Sequence, residues 1–91
     1  MIQNWPVGIF DSGVGGLSVF REIRKQLPAE SLYYLADTGN CPYGSKSENE
    51  AFACARQSVR FLVSQGCKLV VIACNTVTAV GIDRFRQDYL I

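Results

Sequence analysis

The sequence predicts an α/β fold: a parallel sheet with helices against it, in a three-layer sandwich built from three successive β–α units. Three observations predict it. An apolar, strand-like run followed by a segment of helical periodicity occurs three times along the 91 residues, and such alternation implies parallel strands joined by right-handed crossovers. The runs are short and rich in β-branched or aromatic residues, as strands covered by helices are. Each run stops at a polar residue: Asp11, Asp37 and Cys74. The length allows one small domain, and a composition of 48% hydrophobic and 19% charged residues is that of a globular chain.

The first strand is Val7-Gly8-Ile9-Phe10, ending at Asp11, followed by the glycine-rich turn Ser12-Gly13-Val14-Gly15-Gly16. A helix is expected over about Leu17 to Gln26, with Val19, Phe20, Ile23 and Leu27 on one face and Pro28 to stop it. Leu32-Tyr33-Tyr34-Leu35-Ala36 is the second strand, ending at Asp37, and Thr38 to Lys46 reads as a polar loop. Ser47-Glu48-Asn49-Glu50 has the spacing of a capping box. The helix it opens carries Phe52, Ala55, Val59 and Leu62 on one stripe and ends near Gly66. The third strand, Leu69-Val70-Val71-Ile72-Ala73, is apolar throughout and reads as buried on both faces. A third helix is expected from about Thr78 to Asp88, although Val77, Val80 and Gly81 favour it poorly.

Charge and composition exclude several classes. Nine Lys and Arg against eight Asp and Glu leave +1, so there is no electrostatic case for nucleic acid or an anionic membrane. No apolar run approaches the roughly 20 residues of a membrane span. The start of the chain lacks a secretion signal, so the four cysteines, at 41, 54, 67 and 74, are expected as free thiols in a reducing compartment. None forms a Cys-x-x-Cys pair and the chain has no histidine. That removes Cys/His zinc sites and any Cys–His or Ser–His dyad within the chain; no metal is expected.

In a parallel sheet all carboxyl ends lie on one edge, where open α/β sheets bind ligands. Asp11, Asp37 and Cys74 therefore converge there, with the glycine turn and the Cys41-Pro42-Tyr43-Gly44 loop. The turn is not Gly-x-Gly-x-x-Gly, because Ser18 occupies the third glycine position, and no Lys-Ser/Thr follows as in a phosphate-binding loop. It can still expose backbone N–H groups to an anion, or serve only as a tight connection. Asp11 can orient or deprotonate a neighbour, or cap the first helix. Asp37 before Thr38-Gly39-Asn40 reads first as turn and loop chemistry, with a functional role as the lesser alternative. Cys74 is a packing residue or a nucleophile or base whose thiolate is favoured by the following helix N-terminus. Asn75 and Thr76 can bond a carboxylate or cap that helix. Cys54 and Cys67 read as packing residues, and Cys41 as incidental.

Phe10-Asp11-Ser12-Gly13-Val14-Gly15-Gly16-Leu17-Ser18-Val19, Ala36-Asp37-Thr38, Pro42-Tyr43-Gly44 and Ala73-Cys74-Asn75-Thr76 resemble, in order and spacing, the glutamate racemases of the aspartate/glutamate racemase family. The resemblance covers nearly the whole chain. It implies that residues 1–91 are the N-terminal part of the first of two similar α/β domains, the second domain being absent. The reaction implied is cofactor-independent interconversion of L- and D-glutamate in the bacterial cytoplasm, feeding peptidoglycan synthesis. Two cysteines in such enzymes face opposite sides of the substrate α-carbon. By position, Cys74 looks like the one associated with the D-enantiomer's proton and Asp11 like the carboxylate that assists it. Ser12, Pro42, Tyr43, Gly44, Asn75 and Thr76 look like substrate-pocket residues, with Asp11 and Cys74 also facing the substrate.

The second cysteine, in a Cys-Thr-His context, lies outside this chain, so the chain is expected to be inactive alone and poorly stable, its partner-facing surfaces uncovered. Self-association or a homodimer through exposed apolar surface is expected. Two other readings stand beside the racemase one: a phosphate- or nucleotide-binding module using the glycine turn, and a non-catalytic fragment that self-associates. Titration with nucleotides against D-glutamate separates the first; light scattering addresses the second.

Overall fold

The computed structural model describes residues 4–13, 17–40 and 43–88, and of Asn75, Thr76, Val80 and Asp88 the backbone only. The order of elements is strand β1 (Val7–Asp11), helix α1 (Leu17–Gln26), β2 (Leu32–Ala36), two 3-10 turns (Thr38–Asn40 and Tyr43–Ser45), α2 (Glu48–Ser64), β3 (Leu69–Ile72) and α3 (Asn75–Asp88). The three strands form one sheet in the order β2-β1-β3. Both pairings are parallel, with Phe10 beside Leu35 on one side and Ile72 on the other.

The strand order corrects one expectation. The apolar run of β3 predicts a strand buried on both faces, but only Val70 in it is fully buried. The covered strand is β1, whose five residues are all buried. It lies between two neighbours, whereas β2 and β3 each have a second edge with no strand beside it among the described residues. β3 also stops at Ile72, one residue before the expected Ala73, and β1 extends to include Asp11.

Alternation along the strands sorts residues to two faces. Gly8, Phe10, Tyr33, Leu35, Val70 and Ile72 share one face by register. This face carries the core, where Phe10 and Val70 join Ala51, Ala55, Val59 and Leu62 of α2 and Val77 and Phe85 of α3. Full burial of a Val or Leu contributes about 1.5–3 kcal/mol. The predicted α2 stripe is therefore the main stabilising contact, with Phe52 half-buried at its margin. Gly8 admits the end of α2: a Cβ there would stand 3.0 Å from Cys67 Sγ and 3.4 Å from Leu62 Cβ. Ile9 and Tyr34 face the other way, and Phe20 of α1 meets the Tyr34 ring at 5.6 Å. That gives the third layer. It is thin, because α1 has no fully buried residue and Leu27, expected on its apolar face, is 48% exposed just past its end.

Helix ends follow local chemistry. Ser47 caps α2, its hydroxyl accepting the Glu50 N–H while the Glu50 carboxylate accepts the Ser47 N–H. The other end closes with Gly66 N–H on Val63 O and Cys67 N–H on Leu62 O. That pattern requires a left-handed residue, supplied by Gly66 at φ +85°. The third helix begins at Asn75, three residues before the expected Thr78, and is interrupted at Gly81, where a Cβ would stand 3.1 Å from the Phe52 ring. Phe52 itself is stacked on Phe85, ring centroids 4.8 Å apart, with the Arg84 guanidinium 3.7 Å from its centroid.

Candidate active site at the strand ends

The carboxyl ends of the strands are tied to one another by backbone hydrogen bonds. Asp37 N–H donates to Asp11 O at 2.9 Å, and Ala73 N–H to Phe10 O at 2.8 Å. The parallel ladder thus runs one step past β2 and β3. It fixes Asp11 and Ser12, Asp37, and Ala73 and Cys74 on one edge, as the topology requires.

Cys74 and the Asp11-Ser12 step are brought together from 62 positions apart. The Cys74 thiol donates to Ser12 Oγ at 3.3 Å, and the Ser12 N–H donates to Asp11 Oδ1 at 2.8 Å. Asp11 is the last residue of β1, six positions before α1, so it is not the residue that immediately precedes that helix. Both Asp11 and Cys74 are buried, each 5% exposed, while Ser12 is half-buried. Cys74 immediately precedes α3, and its carbonyl accepts both the Thr78 N–H at 3.0 Å and the Thr78 hydroxyl at 2.9 Å. The sulfur thus lies beside a hydroxyl at the start of α3, and the buried Asp11 carboxylate is reached from it through Ser12.

The second cluster was less legible. Asp37, read from the sequence as turn chemistry, is the acceptor at its centre. Tyr43 Oη donates to Asp37 Oδ2 at 2.6 Å, and the Asn40 side-chain amide lies 3.0 Å from both carboxylate oxygens. Tyr43 is fully buried, its ring against Phe10 at 6.0 Å between centroids. Burial first, and then the Asp37 carboxylate, push its phenol far above the ordinary 10.0. The Tyr43 side chain therefore belongs to the core and to Asp37, while the adjacent Gly44 is exposed. The spacing Asp37…Asn40…Tyr43 was the available signal. The expected polar loop is instead two 3-10 turns held by this carboxylate.

Asn75 and Thr76 form the first turn of α3, and their side chains lie outside the described set; so do Pro42, Cys41 and the Val14-Gly15-Gly16 part of the glycine turn. Tyr34, on the Asp11 face, has a hydroxyl that is buried and without a hydrogen-bond partner among the described residues. Burial, then the Asp11 charge, raise its phenol above 10.0. Cys54 and Cys67 are half-buried thiols packed against the core, as expected, and burial pushes the Cys67 thiol up. Among the described residues no three His, Cys, Asp or Glu side chains are grouped to hold a metal, and no helix is long and apolar enough to cross a membrane.

No protein-family model matches the chain. Individual proteins do. The chain is 47% identical over 90 residues to a glutamate racemase of Herpetosiphon aurantiacus, a match covering 99% of the chain and 35% of that protein. Its fold superposes with a TM-score of 0.91 on the glutamate racemase of Thermus thermophilus solved with β-chloro-D-alanine, at 40% identity over 94% of the chain and 34% of that structure. The Francisella tularensis glutamate racemase solved with D-glutamate gives a TM-score of 0.89 at 39% identity, over 93% of the chain and 32% of that structure. The chain thus spans about a third of the length of the proteins it matches.

Proposed function

We propose, with the match in sequence and fold to the N-terminal part of glutamate racemases as premise, that this chain forms one half of a glutamate racemase site. The observation that carries the reading is the meeting of Cys74 with the Asp11-Ser12 step, thiol to hydroxyl at 3.3 Å, at the sheet edge. In the proposed reaction the Cys74 thiolate removes the α-proton of D-glutamate on one face. A second thiol, outside these 91 residues, delivers a proton to the other, and protons balance without a cofactor. Asp11 assists Cys74, and Ser12, Pro42, Tyr43, Gly44, Asn75 and Thr76 surround the substrate. An amino-acid α-proton is very weakly acidic, so fixed dipoles aimed at the developing carbanionic charge must do what an electron-sink cofactor does elsewhere.

One base cannot serve both faces, so the chain alone does not racemise. The test is incubation with each enantiomer in deuterated water. The expected result is no interconversion, with slow α-deuterium incorporation into D-glutamate that disappears in Cys74→Ser. Sustained conversion between enantiomers sinks the half-site reading, and exchange undiminished in Cys74→Ser sinks the role of Cys74. In the complete enzyme this activity supplies D-glutamate for peptidoglycan in the bacterial cytoplasm.

A specific observation also favours self-association. Trp5, Leu17, Leu27, Phe61 and Val63 are large apolar side chains exposed by 40% or more. Covering such side chains removes apolar area from water, which favours association with a second copy. Light scattering across a concentration series is expected to show mass rising above that of one 10.1 kDa chain; a constant monomer mass refutes it.

A further inference from the structure

We infer that Asp37 is a positioning residue of the sheet-edge site: its carboxylate, receiving the Tyr43 hydroxyl and the Asn40 amide, locks the Thr38–Asn40 and Tyr43–Ser45 turns in place as one wall for an amino-acid ligand. The inference rests on the glutamate reading for the identity of that ligand. Its geometry is independent of it.

Four contacts place Asp37 at the crossing point. Its own N–H is taken by Asp11 O at 2.9 Å, which anchors it to the end of the central strand. Its carbonyl accepts Asn40 N–H at 3.2 Å, closing the first 3-10 turn. Its carboxylate holds Asn40 through the side chain and accepts the hydroxyl of Tyr43, the first residue of the second turn, at 2.6 Å. The Tyr43 ring is inserted beneath the turns, against Phe10 and within the cluster that also contains Cys74, Val77 and Phe85. Position 44, which follows, is exposed on the same edge as Cys74.

A 3-10 turn of three residues has little stability of its own. Its conformation is fixed by this carboxylate and the buried ring. A short charge-assisted bond is the strong kind, and an aromatic anchor below it removes the rotational freedom that would otherwise blur the turns. Asp37 therefore touches no reacting atom in this arrangement. It acts through Tyr43 and Asn40 on where positions 43 and 44 stand relative to the thiol.

The test uses the 91-residue chain and D-glutamate as the probe, followed by amide NMR. Two readouts come from each sample: the slowly exchanging Tyr43 hydroxyl proton, and the D-glutamate concentration at which the Gly44 and Cys74 amides shift. In the native chain the hydroxyl signal is expected to be visible and the titration to saturate. In Asp37→Ala the hydroxyl signal is expected to vanish and the affinity to fall roughly tenfold. Asp37→Asn, which keeps one acceptor oxygen, is expected to recover part of both.

Tyr43→Phe keeps the buried ring and guards against misfolding of Asp37→Ala. It is expected to weaken D-glutamate similarly while the amides of the core strands stay in place. Affinity within twofold of native in both Asp37→Ala and Tyr43→Phe overturns the inference, as does a hydroxyl signal that persists in Asp37→Ala. A native chain that shows the hydroxyl signal but no response to D-glutamate overturns the glutamate reading while supporting the clamp, so the two failures are distinct.

Discussion

Tyr43→Phe isolates one oxygen atom. The ring stays, so the apolar area buried against Phe10 and α3 is unchanged, and what is lost is the 2.6 Å bond to Asp37 together with the hydroxyl's interaction with buried Ser58. A hydrogen bond to a charged acceptor contributes about 1.5–3 kcal/mol. Asp37 is half-exposed and retains Asn40 on both oxygens, which leaves it partly solvated and compensated, so the expected loss is about 1–2 kcal/mol. Urea unfolding followed by circular dichroism measures it, with sodium sulfate held constant to keep a small domain well folded at zero urea.

The pH dependence gives a second constraint. The fold holds the Tyr43 phenol above its ordinary 10.0, so it favours the neutral form. That contribution is complete below pH 10 and is lost as pH rises toward the folded value. The difference between native and Tyr43→Phe should therefore be constant from about pH 7 to 9 and shrink above about pH 10. A difference below about 0.3 kcal/mol, or one that grows with pH, refutes the argument.

Other consequences are measurable by the same titration. Ser47→Ala removes the capping box of α2 and should cost about 1 kcal/mol, with amide exchange accelerated first at Glu50 and Ala51. Gly66→Ala places a Cβ on a left-handed residue and should cost about 1 kcal/mol, whereas Gly66→Asn should cost less, because the space around it is open and the strain is in the backbone. Glu30→Gln breaks the Lys68 pair at 2.8 Å and should cost about 0.5–1 kcal/mol at low salt; added salt should narrow the gap between variant and native.

Much of the fold was legible because it is written in local patterns. The capping box at Ser47, the α2 stripe and the strand β2 needed no partner to be read, and the limits Leu17–Gln26 and Leu32–Ala36 are those found. What failed was relational. The hydrophobicity of Leu69–Ile72 does not reveal which strand lies in the middle, since strand order is decided by crossovers; Val7–Asp11, a less apolar run with a glycine, takes that place. The early start of α3 is hidden because Asn and Thr suit ligand contacts or helix caps, whereas Asn75 and Thr76 both stand inside the helix. In the site, convergence of Asp11 and Cys74 followed from parallel topology alone. The role of Asp37 did not, because an Asp before Thr-Gly-Asn is ordinary turn chemistry until a buried phenol is found pointing at it.

The place of β1 has a consequence in time. Of the three strands, the first in chain order is the one that needs both others, and Ser12 stands 62 residues before its sulfur. Closing so long a loop adds little equilibrium cost but slows assembly, since the entropy is lost before the contact is gained. Every intermediate that lacks β3 leaves Cys74 open to solvent; the finished sheet shields it. The rate at which this thiol is lost to an alkylating reagent during refolding is then a clock for the docking of β3 on β1.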